Sequence, residues 1–175
     1  MATVTWQRVQ YRVGQVVRGL CPRLRAEDEA EVARWLTPAQ VRLWQRQSAR
    51  DRAHSLRVLR TLQHQGYTDP PLMAAALLHD VGKIVTRIRL WHRVVWVLAT
   101  GLAPRWAKRL QHPTGWRKPF WVLAEHPRLG ADLVRETGGE EAVIWLVAHH
   151  QEHGLNPSPP YDRWLSALQH ADEVN

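Results

Sequence analysis

The stretch Ala76-Leu77-Leu78-His79-Asp80-Val81-Gly82-Lys83 decides the fold of this 175-residue chain. Residues 72–78 are continuously apolar, and Asp69-Pro70-Pro71 before them is typical of a helix start, so a buried central helix is predicted. This helix ends at His79-Asp80, where Gly82 lets the chain turn away. Imidazoles and carboxylates from separate segments suit a borderline divalent cation, which indicates a metal-dependent enzyme. The other candidate ligands are His54, His126, His149 and Asp172.

The rest of the chain also has the pattern of helices. Apolar residues recur at helical spacing nearly everywhere, and no run alternates polar with apolar residues over the length of a strand, so the predicted fold class is all-α. The residues of Thr37-Pro38-Ala39-Gln40 suit a capping box at a helix start. Helices are predicted over 6–20, over 38–66 with or without a break near Ser48, over 127–137, over 140–153, and from Tyr161 to the C-terminus.

The length fits a single domain, residues 1–175, and 45% hydrophobic content with ten Trp residues can build a sizeable core. Residues 1–36 are interpreted as an N-terminal helical extension. Residues 84–121 are the least regular part and are interpreted as a Trp/Arg-rich insertion that acts as a water-soluble lid or packing element. Their longest uncharged stretch is far shorter than the ~20 residues needed to span a bilayer.

Charge and cysteine content narrow the functional classes. The net charge is +8, and only three of the 24 basic residues are lysines. The arginines are scattered, so they could serve nucleic acid, an anionic membrane or a phosphorylated small substrate, or form a solvated surface; we expect no specific nucleic-acid partner. One cysteine allows no intramolecular disulfide, and the N-terminus lacks the apolar core of a signal peptide, so a cytoplasmic location is predicted.

The order His54, His79-Asp80 and Asp172 resembles the HD-domain superfamily of metal-dependent phosphohydrolases, an all-α fold named for its His-Asp pair. The resemblance covers roughly residues 48–174 and implies that these residues bind one metal ion. His126 in Glu-His-Pro-Arg-Leu-Gly-Ala and His149 in Val-Ala-His-His-Gln-Glu are similar to the members that hold two ions. Asp80 would then bridge the two ions. A histidine-rich set favours metals that accept nitrogen, so we expect two divalent transition ions, iron, manganese or similar.

The resemblance implies hydrolysis of a phosphoester or phosphoanhydride bond in a nucleotide-like substrate by a metal-activated hydroxide. Asp80 and Lys83 are the catalytic candidates, because Lys83 matches the lysine of the family's His-Asp-x-x-Lys form and would hold a phosphate oxygen. Arg57 and Arg128, close in sequence to the ligands, are candidate phosphate clamps.

The His149-His150 pair leaves a choice, because neighbours on a helix diverge by about 100 degrees and cannot both face one site. We assign His149 as the ligand. His150 is a candidate for supporting the ligands, contacting substrate or binding the second ion. His153, one turn beyond His149, is a rival on the same helix face.

Two other functions stay open. The first is a non-catalytic HD module that binds a nucleotide or a partner, although such a role would not require the full ligand set and Lys83. The second is weak association with a membrane surface through the insertion, where Trp and Arg suit a headgroup layer. The Gly-Tyr-Pro that follows the His-His-Glu of cyclic-di-GMP phosphodiesterases is missing here, which disfavours that substrate. The members that cleave diadenosine tetraphosphate symmetrically have a similar ligand order but a glycine where this chain has Pro127.

Overall fold

Helices form all the regular structure in residues 24–175, the part of the chain that this computed structural model describes, so the all-α prediction is confirmed. The helix predicted over 6–20 lies outside the described residues. The α-helices are α1 (Ala26–Trp35), α2 (Pro38–Gln45), α3 (Ala49–His64), α4 (Pro70–Leu78), α5 (Leu90–Leu102), α6 (Pro104–Leu110), α7 (Lys118–Glu136), α8 (Glu141–His149) and α9 (Tyr161–Val174). Short 3-10 helices span Val81–Val85 and Gly115–Arg117.

Helix α4 lies at the centre of the bundle. Its residues Leu72 to Leu78 are all buried, and it packs against α1, α3, α8 and α9. An apolar helix that is buried on every side stays in place only when other helices surround it. The predicted central helix is therefore confirmed, and its C-terminal end delivers His79 and Asp80 into the interior.

The helix-start signals before the centre are also confirmed. The Thr37 hydroxyl accepts from the Gln40 backbone at 3.3 Å, and the Gln40 side chain accepts from the Thr37 backbone at 3.0 Å, which completes the capping box. The break near Ser48 is present, because Ser48 caps a new helix, α3, by accepting from the Asp51 backbone. This separation of α2 from α3 sets the direction of the helix that carries His54.

Helix α7 begins at Lys118, so the predicted start at Pro127 is wrong. Pro119 occupies the first turn, where a proline costs no backbone hydrogen bond, and Pro127 lies inside the helix. Part of the segment 84–121 therefore belongs to a long helix of the bundle. The remainder of that segment is ordered as α5, α6 and a 3-10 turn rather than irregular.

The insertion has an apolar cluster of its own. Ala99, Ala107, Leu110 and Phe120 are buried together, with Trp96 packed against them. Helix α5 also contacts α7, which joins this cluster to the bundle. None of the described helices has the length and apolar character needed to cross a membrane.

Gly82 has a different role from the one predicted. Its φ is not positive, so no left-handed turn requires a glycine there. A Cβ at this position would instead collide with the His126 carbonyl oxygen and lie 2.7 Å from the Gly130 backbone nitrogen. Gly82 thus allows the segment after the His-Asp pair to lie directly against α7. The close approach brings His126 to Asp80.

Candidate metal centre

Six titratable side chains from five segments of the chain lie close together at the C-terminal end of α4. Asp80 is at the centre of this cluster and is 3% exposed. Its carboxylate oxygens lie 3.2 Å from His126 Nε2 and 3.6 Å from His79 Nε2. On the other side, Asp172 Oδ1 lies 2.8 Å from His54 Nε2 and 3.7 Å from His79 Nε2. The six members are His54, His79, Asp80, His126, His150 and Asp172.

Three buried histidines of the cluster are oriented in the same way. The Nδ1–H groups of His79, His126 and His150 donate to the carbonyl oxygen three residues earlier, at 2.9, 3.0 and 2.8 Å. This bond fixes the tautomer and leaves a lone pair on Nε2. The Nε2 atoms of all three are buried and lack a hydrogen-bond partner among the described residues.

The carbonyl oxygen that accepts from each of these histidines has no backbone N–H donor of its own helix. His79 and His150 directly follow the last residues of α4 and α8, where the carbonyls of the final turn have no helical donor. His126 lies inside α7, but Pro127 follows it and has no N–H to give to the Leu123 carbonyl, which accepts from His126 instead. Pro127 thus assists the orientation of the His126 ring.

The distances around Asp80 are those of a site for a cation. If Nδ1 carries the proton, the lone pair on His126 Nε2 faces the charged Asp80 Oδ1 at 3.2 Å, and two acceptors repel each other at that distance. A second proton on His126 is disfavoured, because burial and the charge of Lys83 lower its pKa. A metal ion satisfies both atoms, since neutral imidazole and carboxylate are metal ligands. The donor set therefore fits a transition ion.

Electrostatics keep the carboxylates charged and a histidine neutral. Burial would raise the pKa of Asp80, but Lys83, His79 and His126 outweigh it and hold that pKa well below its usual range. Burial would likewise raise the pKa of Asp172, but the hydrogen bond from His54 and the charges of His79 and His54 together outweigh it and lower that pKa. Burial lowers the pKa of His150 to about 3. These are the protonation states that metal binding requires.

The candidate ligands fall into two groups that share Asp80. One group is His54, His79 and Asp80, and the other is Asp80, His126 and His150. Within each group the ligand atoms lie within 4.8 Å of one another. Asp172 lies against the first group through His54 and His79. A shared carboxylate between two sets of imidazoles is compatible with binding of divalent metal ions on either side of Asp80.

His149 is not brought into this cluster, so its assignment as a ligand is wrong. Its Nδ1 donates to the Trp145 carbonyl at 2.8 Å, and its ring stacks on the Trp145 ring with 4.4 Å between centroids. The rotation of α8 turns the next residue inward instead, and the His150 ring lies 5.2 Å from the rings of both His79 and His126. His153 reaches the cavity wall but is exposed.

The three candidate cations differ in their placement. Lys83 Nζ lies 2.6 Å from Asp80 Oδ2 at the edge of the cluster. Arg57 lines the adjoining cavity. Arg128 does not, because its exposed side chain pairs with Glu125 and Asp132 on the same helix, and its prediction as a phosphate clamp is wrong. Such pairs at one-turn spacing form on the outer face of a helix.

A cavity of about 780 Å³ opens over the cluster. His54, Asp80, His126, His150 and Asp172 line its floor, and Trp96, Val97 and Thr100 of α5 line its wall. The insertion thus forms part of the pocket. Two arginines of the lining, Arg50 and Arg93, are not among the site residues predicted from the sequence. Arg50 had a signal, because it lies one turn before His54 on the same helix face, whereas Arg93 reaches the cavity only through tertiary packing.

The HD domain family matches residues 52–173 of the chain, and the chain therefore belongs to the HD-domain family of metal-dependent phosphohydrolases. The matched range includes every member of the cluster. Comparison with curated proteins and with solved structures gives no match.

Proposed function

We propose that this protein is a phosphohydrolase that holds two divalent transition ions and cleaves a phosphoester or phosphoanhydride bond of a nucleotide-like substrate. The observation that carries the proposal is the set of three buried imidazoles around the Asp80 carboxylate, whose Nε2 atoms find no hydrogen-bond partner within residues 24–175. A non-catalytic module has no need of a partly buried cationic lysine beside such a set, next to a cavity large enough for a nucleotide.

Each part of the cluster has a distinct task in this proposal. His54, His79 and Asp172 would hold one ion, His126 and His150 the other, and Asp80 would bridge them. Bound together, such ions lower the pKa of a water molecule towards neutrality and neutralise charge on a phosphate. Lys83 neutralises Asp80 in the free protein and lies at the cavity, where its ammonium group would hold a phosphate oxygen. Iron or manganese suits the set better than magnesium, because imidazole nitrogen dominates.

The proposal is tested by hydrolysis assays on the purified protein supplied with Mn²⁺ or Fe²⁺. The substrates are mononucleotides, dinucleoside polyphosphates and cyclic dinucleotides, and the readout is phosphate or nucleotide release. We expect metal-dependent hydrolysis of at least one class, abolished by Asp80→Asn and retained by Arg128→Gln. No hydrolysis of any of them by metal-loaded protein would favour the binding module.

We further propose that the insertion docks this enzyme on an anionic membrane surface. Residues 84–121 contain eight basic residues and no acidic one. Trp91, Trp106 and Trp116 of this segment are exposed, and Trp91 and Trp116 lie near each other because both contact the Phe120 ring. Exposed Trp beside concentrated positive charge suits the headgroup layer of a bilayer with acidic lipids.

Co-sedimentation with phosphatidylglycerol vesicles at physiological salt tests the docking proposal. We expect retention that is lost with pure phosphatidylcholine vesicles and in the double variant Trp91→Ser, Trp116→Ser. Leu155→Ser is the control, because Leu155 is exposed but lies outside the insertion. Absence of retention, or equal retention of the double variant and the wild type, would overturn the proposal.

A further inference from the structure

Helix α3 places an arginine on each side of the metal ligand that it carries. Arg50, His54 and Arg57 are spaced four and three residues apart and therefore lie on one face of the helix. All three line the cavity. At a rise of about 1.5 Å per residue, each arginine lies roughly one turn from His54 along the helix axis. A substrate bound at the metal centre thus meets guanidinium groups beyond the reacting phosphate.

Arg50 has an unused hydrogen-bond donor. Its Nη2 atom is buried and has no hydrogen-bond partner among the described residues. Burial and the nearby Arg93 guanidinium lower the pKa of Arg50. A buried guanidinium donor without a partner is costly, because it has lost its water without gaining another contact. An anion in the adjoining cavity would remove this cost.

The carboxylate next to Arg50 in the sequence, that of Asp51, is already paired with another arginine, Arg93. Arg93, from α5, donates through Nη2 to both carboxylate oxygens of Asp51, at 2.8 and 2.9 Å, and the Ser48 hydroxyl donates to the same carboxylate. The guanidinium groups of Arg50 and Arg93 thus share one carboxylate at this end of the cavity, and the positive charge of Arg57 also acts on Arg50. The other carboxylates of the lining, those of Asp80, Asp172 and Glu173, come from the metal centre and α9. This end of the cavity therefore keeps an excess of positive charge.

We propose that Arg50, Arg57 and Arg93 form an anion subsite that holds a second phosphate group of the substrate. This inference rests on the proposed function, since it assigns the substrate to compounds with at least two phosphate groups, such as nucleoside polyphosphates. Guanidinium groups suit this task because they bind phosphate oxygens through paired, charge-assisted hydrogen bonds. Arg93 is held in place by Asp51, whereas Arg50 and Arg57 are available to the ligand.

The subsite is tested by calorimetric titration of the metal-loaded protein with methylenediphosphonate and with methylphosphonate. Neither probe contains a P–O–P bond that could be hydrolysed. Arg50→Gln and Arg57→Gln should each weaken diphosphonate binding about tenfold or more and change methylphosphonate binding less than about twofold. Arg128→Gln is the matched control, because this arginine lies outside the cavity.

The outcomes separate the subsite from the proposed function. Diphosphonate binding that depends on Arg50 and Arg57, in a protein that hydrolyses nothing, would support the subsite and refute the phosphohydrolase. Equal diphosphonate binding by the wild type and both variants, in an active enzyme, would overturn the subsite alone. If Arg50→Gln fails to fold, Arg57→Gln decides, because the Arg57 side chain is exposed and its removal leaves the core intact.

Discussion

Replacing Gly82 with alanine should destabilise the bundle and weaken the metal centre together. The new Cβ would collide with the His126 carbonyl oxygen and lie 2.7 Å from the Gly130 backbone nitrogen. Both obstacles are backbone atoms of α7, so no side-chain rotation can relieve them. The helix has to move away, and His126 moves with it.

The expected magnitude is that of an overpacked core. Such changes cost about 1–3 kcal/mol, and for a chain of this size each kcal/mol lowers Tm by about 2–4 °C. The chelated Gly82→Ala protein should therefore melt about 2–12 °C below the chelated wild type. The displaced His126 should weaken metal binding by about 10–100-fold, the range found when groups that position ligands are changed.

Gly66→Ala provides the matched control. Gly66 has a φ of 86° and open space around its Cβ position, so alanine is strained there without contacting another segment. This variant should lose about 1–2 kcal/mol of stability and keep its metal affinity. Calorimetric melting and Mn²⁺ titration of both variants give the comparison. If Gly82→Ala melts at the wild-type temperature and binds metal with wild-type affinity, the close contact between residue 82 and the α7 backbone does not require a glycine.

Three further changes have expected outcomes. Lys83→Ala should lower turnover about 10²-fold or more while the metal content stays the same. Lys108→Ala is the control and should keep wild-type turnover, because Lys108 is exposed. Equal turnover of the two variants would show that Lys83 has no role in catalysis. Burial lowers the pKa of His150 to about 3, so on acidification the unfolded chain takes up a proton that the folded chain excludes. The chelated protein should lose about 2 kcal/mol through this group between about pH 7 and pH 5, and urea titrations of His150→Gln should show a loss smaller by that amount. Thr37→Ala should cost about 1 kcal/mol, measured in the same way, without changing activity, because it removes only the cap of α2.

Local signals in the sequence were enough to predict the central helix and its caps. The apolar run of α4, the prolines before it and the capping box at Thr37 act within one or two turns of the chain, so their effect does not depend on distant residues. The position of the His-Asp pair followed from the end of α4.

The choice between His149 and His150 depended on the rotation of α8. Val143, Val147 and His150 continue one buried face at four- and three-residue spacing, while His149 follows the partly exposed Trp145. The buried face of α8 therefore favours His150 over His149 from the sequence alone. No local sequence pattern predicts that α5 lines the cavity, because this placement depends on tertiary contacts between α5 and the bundle.

The most direct test of the two-ion centre is elemental analysis of His150→Ala beside His149→Ala. These neighbouring residues have the same chemistry, but only His150 lies in the cluster around Asp80. With the wild type carrying about two transition ions per chain, His150→Ala should lose mainly one ion and most of its activity, and His149→Ala should keep both ions. Full metal content and activity in His150→Ala, with loss of an ion in His149→Ala, would contradict the centre described here.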